Sequence, residues 1–344
     1  MNEPDYRKDI TPETYYSYYK IFYEAVNAVN AELKPKIPLL VGGPSTAQLT
    51  PIWLRPFLDA YKNDPSPNKR LDFIAYHGYF TKPDSVYQFF KENPSLVRDQ
   101  RKQLDTELSS RGIRTDIPAF VTETGIYPGG LSDDRNTMQN DVLRQAAGVA
   151  SLFYWFLENN NRFPFNWVTR HYKEGRKDQL VTRDVNEKPL IKIGKFTPYG
   201  NEMLMMSKLK KTRIGAIVSD TTTKGKGLYA LAAKDDSGVS VMLWNYQGVN
   251  SKSYTAKLNL VNLPQSFKGK NVKVSVYRID SKTSNYIADL ENCNLQKVEE
   301  KTITGTGSYS RTLSFEPNSL QLIILEPTGR LRGSAHNGNK NNLQ

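Results

Sequence analysis

No run of about 18 apolar residues occurs in the sequence, so a membrane-spanning helix is not expected. No basic stretch followed by an apolar one comes after Met1, so no secretory leader is read there and localisation stays open, a secreted or periplasmic parent included. Cys293 is the single cysteine, which excludes an intrachain disulfide. The chain has 3 histidines, and no His, Cys and Asp fall at metal-ligand spacing, so neither metal nor cofactor is expected. The pairs Gly42-Gly43 and Gly129-Gly130 lack the flanks of a phosphate loop and read as turns.

What is present is a chain of 344 residues with 38% hydrophobic side chains, enough for one large or two ordinary domains. Mean hydropathy is −0.59, the formal net charge is +12 and the pI is about 9.4. Such a balance suits an anionic partner, either nucleic acid or an acidic polysaccharide. Yet the basic residues are scattered, as in Lys208, Lys210, Lys211, Lys224 and Lys226, with no arginine-rich stripe. A solvated, spread charge is the better reading, and no nucleic-acid or membrane partner is expected. The 20 tyrosines suit sugar or peptide binding as well as ordinary cores.

Strand-then-helix units follow one another through the first 211 residues. Thr11-Pro12-Glu13 opens a helix whose apolar positions (Tyr15, Tyr19, Phe22, Val26, Val29, Leu33) recur at helical spacing until Lys34-Pro35. Ile37–Pro44, IPLLVGGP, reads as a buried strand, and Thr50-Pro51 opens a helix to about Lys62. Leu71–Tyr79 reads as the next strand, followed by helix from about Asp84 to Ser110, broken near Pro94. Ile117–Gly125 reads as a strand, about Thr137 to Ala150 as a helix, and Ser151–Leu157, SLFYWFL, as a fourth strand. A loop containing NNNRFPFNW follows, and Thr197-Pro198 opens a last helix to about Leu209. This alternation predicts a parallel α/β sheet with its chemistry at the C-terminal strand ends. From about Thr212 the segments become short and β-rich, from IGAIVSD to SLQLIILEP, which predicts a β-sandwich. The glycine-, asparagine- and base-rich end is expected to be disordered.

Two glutamates stand at predicted strand ends, Glu3 and Glu123. Two carboxyl groups facing each other across a cleft are what glycosidic hydrolysis needs: one protonates the leaving oxygen, the other attacks the anomeric carbon or activates water. A surface glutamate is the ordinary alternative for each. For Glu123 the preceding Ala119-Phe120-Val121 argues for a buried setting. His77 could equally be a hydrogen-bonded core histidine, Trp155 a plain core aromatic, and Phe163, Phe165 and Trp167 either loop anchors or a sugar-binding rim.

In order, NEP at one strand end, HGY at another, VTETG at a third and YW on a fourth resemble the retaining glycoside hydrolases of clan A. The nearest resemblance is to family 39, the β-xylosidase and α-L-iduronidase group, where a GGP strand also follows NEP. A stretch like LVTRDVNEKP also precedes the last helix there, and a β-sandwich follows the barrel. The likeness covers about residues 2–327. It implies that Glu3 is the general acid/base and Glu123 the nucleophile. Asn2 would bond the sugar 2-hydroxyl, and His77 or Tyr79 would hold the nucleophile. Trp155 would floor the sugar ring. The acid must then keep its proton near neutral pH while the nucleophile stays ionised.

Counted against that family, NEP ends strand four and VTETG strand seven. The fold class expected is therefore α/β plus all-β: the C-terminal half of a (β/α)8 TIM-type barrel, strands five to eight, in 1–211. A β-sandwich occupies 212–327 and a disordered tail 328–344. Such a chain would be an N-terminally truncated retaining glycosidase with impaired activity, its substrate an oligo- or polysaccharide or another glycoside. Self-association through the exposed barrel edges is expected. The alternatives are a non-catalytic carbohydrate-binding remnant and an anion-binding surface protein.

Overall fold

The computed structural model describes residues 1–78, 94–126, 135–158, 161–167, 180–181, 195–219, 225–248 and 252–328. Tyr79, the helix expected before Pro94, most of LVTRDVNEKP and the tail beyond Thr328 lie outside them.

The first layer is helical. Helix α1, Pro12–Leu33, starts where Thr11 Oγ1 accepts the Thr14 N–H and stops at Lys34, which turns left-handed. Tyr15, Tyr16, Tyr19 and Tyr23 form its buried stripe. They meet helix α2, Pro51–Asn63, edge to face, as in Tyr19 against Phe57 at 5.1 Å. Helix α3 spans Leu96–Ser109 and helix α4 Arg135–Phe156.

Four parallel strands lie against these helices in the order β1 (Gly42–Thr46), β2 (Phe73–His77), β3 (Ala119–Thr124) and β4 (Arg162–Asn166). Ile74, Tyr76, Ala119 and Val121 point into the helical core. Alternate residues form the other face, where Phe120 sits 4.7 Å from Phe73, 5.5 Å from Phe163 and 6.1 Å from Phe165. Phe163 and Phe165 are 48% and 53% exposed, so this apolar face is open.

Three expectations are corrected. The first strand begins only at Gly42; Ile37, Leu39 and Leu40 are exposed, and Asn30 on α1 takes both backbone groups of Leu39. Ser151–Leu157 is not a strand but the last turns of α4. The C-terminal half of that helix is apolar because it packs between the parallel sheet and a second sheet, and a short unbroken apolar run carries no period to tell helix from strand. The fourth strand is instead RFPFN, expected to be loop. Pro164 is tolerated there because β4 is an edge strand among the described residues.

After helix α5, Pro198–Ser207, the chain turns antiparallel. Strands β5 (Thr212–Ile214), β6 (Gly227–Asp235), β7 (Gly238–Tyr246), β9 (Asn271–Ile279), β10 (Gln296–Thr304) and β12 (Leu320–Thr328) form one sheet in the order β10-β9-β12-β7-β6-β5. β8 (Tyr254–Leu260) and β11 (Tyr309–Phe315) form a second, two-stranded sheet. Every residue of β7 is buried because both faces of its sheet are covered. Val239, Val241 and Leu243 share a core with Leu258, Leu313 and Phe315 of the small sheet. Met242, Trp244 and Tyr246 join the helical core, where Trp244 Nε1 donates to Ser151 Oγ on α4 at 2.8 Å. Among the described residues no helix is long and apolar enough to cross a membrane.

Candidate active site

The C-terminal ends of β1, β2 and β3 bring together three side chains from distant parts of the sequence. His77 ends β2 beside Glu123 on β3, and the Gly78 N–H donates to the Glu123 carbonyl at 2.7 Å. The register slips between Tyr76 and His77, and again between Val121 and Thr124. Such irregularities re-aim side chains, and here the slip swings Glu123 toward the mouth while Thr124 is buried. Gly78 is required for the approach, since a Cβ there would lie 2.6 Å from Val121 Cγ1.

Glu3 reaches the same point from the N-terminal segment. Its backbone N–H donates to the Ser45 carbonyl at 3.0 Å, Pro4 is buried, and Asp5 Oδ1 accepts the Ala47 N–H at 2.9 Å. Glu3 and Ser45 both hold left-handed backbone, at φ 47° and 60°. Such conformations cost of order 1–3 kcal/mol each and persist only where neighbours enforce them, as these cross-contacts do.

His77 Nδ1 lies 3.0 Å from Glu3 Oε1 and 3.4 Å from Glu123 Oε2. One oxygen of each carboxyl and that ring nitrogen all lie within 4.8 Å of one another. The imidazole is buried, with its side chain 1% exposed, while the Glu3 and Glu123 side chains keep 32% and 16% exposure. The arrangement is a rigid buried ring holding two solvent-accessible carboxyls side by side. It can pass or accept a proton at one carboxyl while the other stays bonded to a donor. Asn2 precedes Glu3 and is exposed.

Trp155 is not at this mouth. It stands at the far end of α4, its carbonyl accepting from Arg162 at the start of β4, and its Nε1 donates to the Tyr229 hydroxyl at 2.9 Å. That places it at the opposite ends of the strands, as a joint between helix and antiparallel sheet. The reason is the helix itself: read as a strand, the same run would have ended at the mouth. The tryptophan that does stand at a C-terminal strand end is Trp167, directly after β4. Its N–H donates to the Thr124 carbonyl at 2.7 Å, and it is 39% exposed. Sequence reasoning left Trp167 open between anchor and rim, and missed Ser45 and Asp5 altogether.

Several solved structures share this architecture. A GH39 enzyme from Xanthomonas axonopodis pv. citri superposes with a TM-score of 0.66 at 14% identity, over 95% of this chain and 67% of its own. A monomeric β-xylosidase from Caulobacter crescentus CB15 gives 0.67 at 16% identity, over 95% and 69%. A bacterial orthologue of human α-L-iduronidase gives 0.70 at 16% identity, over 95% of this chain and 61% of its own. The chain has the fold of these glycoside hydrolases. It spans about two thirds of the length of the first two and less than two thirds of the third. No family model and no curated protein matches the sequence.

Proposed function

We propose that the chain is a retaining glycoside hydrolase of the clan A type, close to family 39, with Glu3 as acid/base and Glu123 as nucleophile. The observation that carries this reading is the convergence of both carboxyls on His77 at the strand ends, within 4.8 Å of one another. Retaining pairs stand about 5–5.5 Å apart and inverting pairs about 6.5–9.5 Å, because only inversion needs room for a water. The close pairing supports retention.

In the first step the Glu123 carboxylate bonds the anomeric carbon as the glycosidic C–O bond breaks, and Glu3 gives its proton to the departing oxygen. In the second, Glu3 takes a proton from water, whose oxygen displaces Glu123 from the sugar. His77 orients both carboxyls, and its Nδ1–H stabilises whichever is ionised. Asn2 is assigned to the 2-hydroxyl and Trp167, in place of Trp155, to the sugar face. Among the described residues the parallel sheet has four strands, where a closed barrel of this kind has eight. Turnover by this chain is accordingly proposed to be weak. The domain division is read as half-barrel to residue 211 and sandwich to 327.

A 2-fluoro glycoside carrying a good leaving group tests the reading. It should label Glu123 covalently, identified by peptide mass. No label on Glu123 at saturating reagent, with a xyloside and a uronide both tried, would leave the non-catalytic reading standing instead.

A further inference from the structure

We propose that Glu3, His77 and Glu123 also form a chelating site for a divalent transition-metal ion of the zinc class, and that such an ion switches the cleft off. Three donor atoms of the right kinds converge: Nδ1 of His77, 3.0 Å from Glu3 Oε1 and 3.4 Å from Glu123 Oε2, with all three inside 4.8 Å. Ligands about 2.0–2.2 Å from a tetrahedral zinc ion stand roughly 3.4 Å from each other. The two separations from Nδ1 match that spacing and the carboxyl oxygens lie within 4.8 Å, so an ion fits among the three once the partly exposed carboxyls turn toward it.

The donor chemistry selects the ion. One imidazole nitrogen and two carboxylate oxygens suit zinc, copper or nickel, whereas magnesium and calcium want all-oxygen shells of six or more. Two carboxylates balance the ion's charge. The ring is held in place by burial, and the partly exposed carboxyls leave a path from solvent and an open fourth position for water. On binding, Nδ1 offers its lone pair and the ring proton resides on Nε2.

The inhibitory consequence rests on the hydrolase reading. An ion between the carboxyls occupies the space of the anomeric carbon and the leaving oxygen, and a metal-bound Glu3 has no proton to give. Binding itself needs no turnover, so it is tested separately.

The experiment uses the whole 344-residue chain. Cobalt(II) is titrated and followed by its visible absorption, and zinc(II) by calorimetry. One ion per chain is expected, with zinc displacing cobalt and magnesium displacing neither. Glu3→Gln, His77→Gln and Glu123→Gln should each weaken zinc at least tenfold. Glu3→Gln changes a partly exposed side chain, so an unchanged melting temperature in it separates lost binding from lost folding. Zinc affinity in the three variants equal to the parent's, or no cobalt spectrum, overturns the site. Zinc that binds but leaves KM for an aryl glycoside unchanged overturns the switch.

Discussion

His77 and Glu3, 74 residues apart in sequence, meet at 3.0 Å between Nδ1 and Oε1. If that contact orients the acid, His77→Ala should lower kcat/KM on an aryl glycoside by about 10²-fold, the lower range for losing a proton-handling partner. His77→Asn puts an amide N–H close to where Nδ1 stands and should recover at least tenfold. Equal loss in both variants, at equal melting temperature, would argue that the ring only fills space.

The two tryptophans separate stability from binding. Trp155→Phe loses the bond to the Tyr229 hydroxyl and should cost about 1–2 kcal/mol in urea unfolding, with sugar affinity unchanged. Trp167→Ala should leave stability within about 0.5 kcal/mol, since the ring is 39% exposed, and weaken sugar binding severalfold. The reverse pattern would restore Trp155 to the cleft.

Much of this was legible because caps and turns act locally. Thr11-Pro12, Thr50-Pro51 and Thr197-Pro198 each mark a helix start, and β6 runs over Gly227–Asp235, the β-rich segment bounded by turns. What escaped depends on tertiary surroundings. The end of α4 is an unbroken apolar run, so its pattern carries no period. β4 contains a proline that only its edge position excuses. β11, YSRTLSF, alternates apolar with polar side chains, but its sparse apolar residues gave a weak signal until it paired with β8. The pair Glu3 and Glu123 was legible only through the order of motifs. The slip that turns Glu123 toward His77 is a property of strand pairing that no single strand displays.

The open phenylalanine face predicts association. Parallel sheets are ordinarily covered on both faces, and here Phe163 and Phe165 lie open on β4, an edge strand among the described residues. Light scattering should show the mass per particle rising with concentration. Phe163→Ser with Phe165→Ser should shift the protein toward monomer. A monomer at all concentrations in the parent chain would refute this.

Asp64 sets the acid limit of the helical layer. Its carboxyl is 2% exposed, and burial alone opposes ionisation. Hydrogen bonds from Tyr23 (2.6 Å), the Ser66 N–H (2.9 Å) and Tyr16 (3.0 Å), with Lys20 at 3.5 Å, outweigh burial and lower its pKa from 3.8 to about 2. A lowered carboxyl pKa contributes stability above the unfolded value, and that stability is lost as pH falls through the folded one. Unfolding free energy should therefore drop by about 2 kcal/mol between pH 4 and pH 2 on this account. Asp64→Asn should be less stable at pH 7 and should flatten that slope. A slope unchanged in the variant would assign the acid sensitivity elsewhere.

Glu202 works in the other direction. On α5 it is fully buried, and neither carboxyl oxygen has a hydrogen-bond partner among the described residues. Burial raises its pKa well above 4.5, so the folded protein holds it neutral. Tyr199, three residues earlier, is raised too, chiefly by burial. A carboxyl raised on folding is proton-bound in the native state at pH values where the unfolded chain has released the proton. Stability is then greatest below about pH 4.5 and falls as pH rises toward the folded pKa. Glu202→Met keeps the volume and removes both the orphan oxygens and the titration. It should gain about 1–3 kcal/mol at pH 8 and lose most of that advantage at pH 4.5. Urea midpoints measured at pH 4.5, 6 and 8 check this; parallel curves for the parent and the variant would show that Glu202 does not titrate on unfolding.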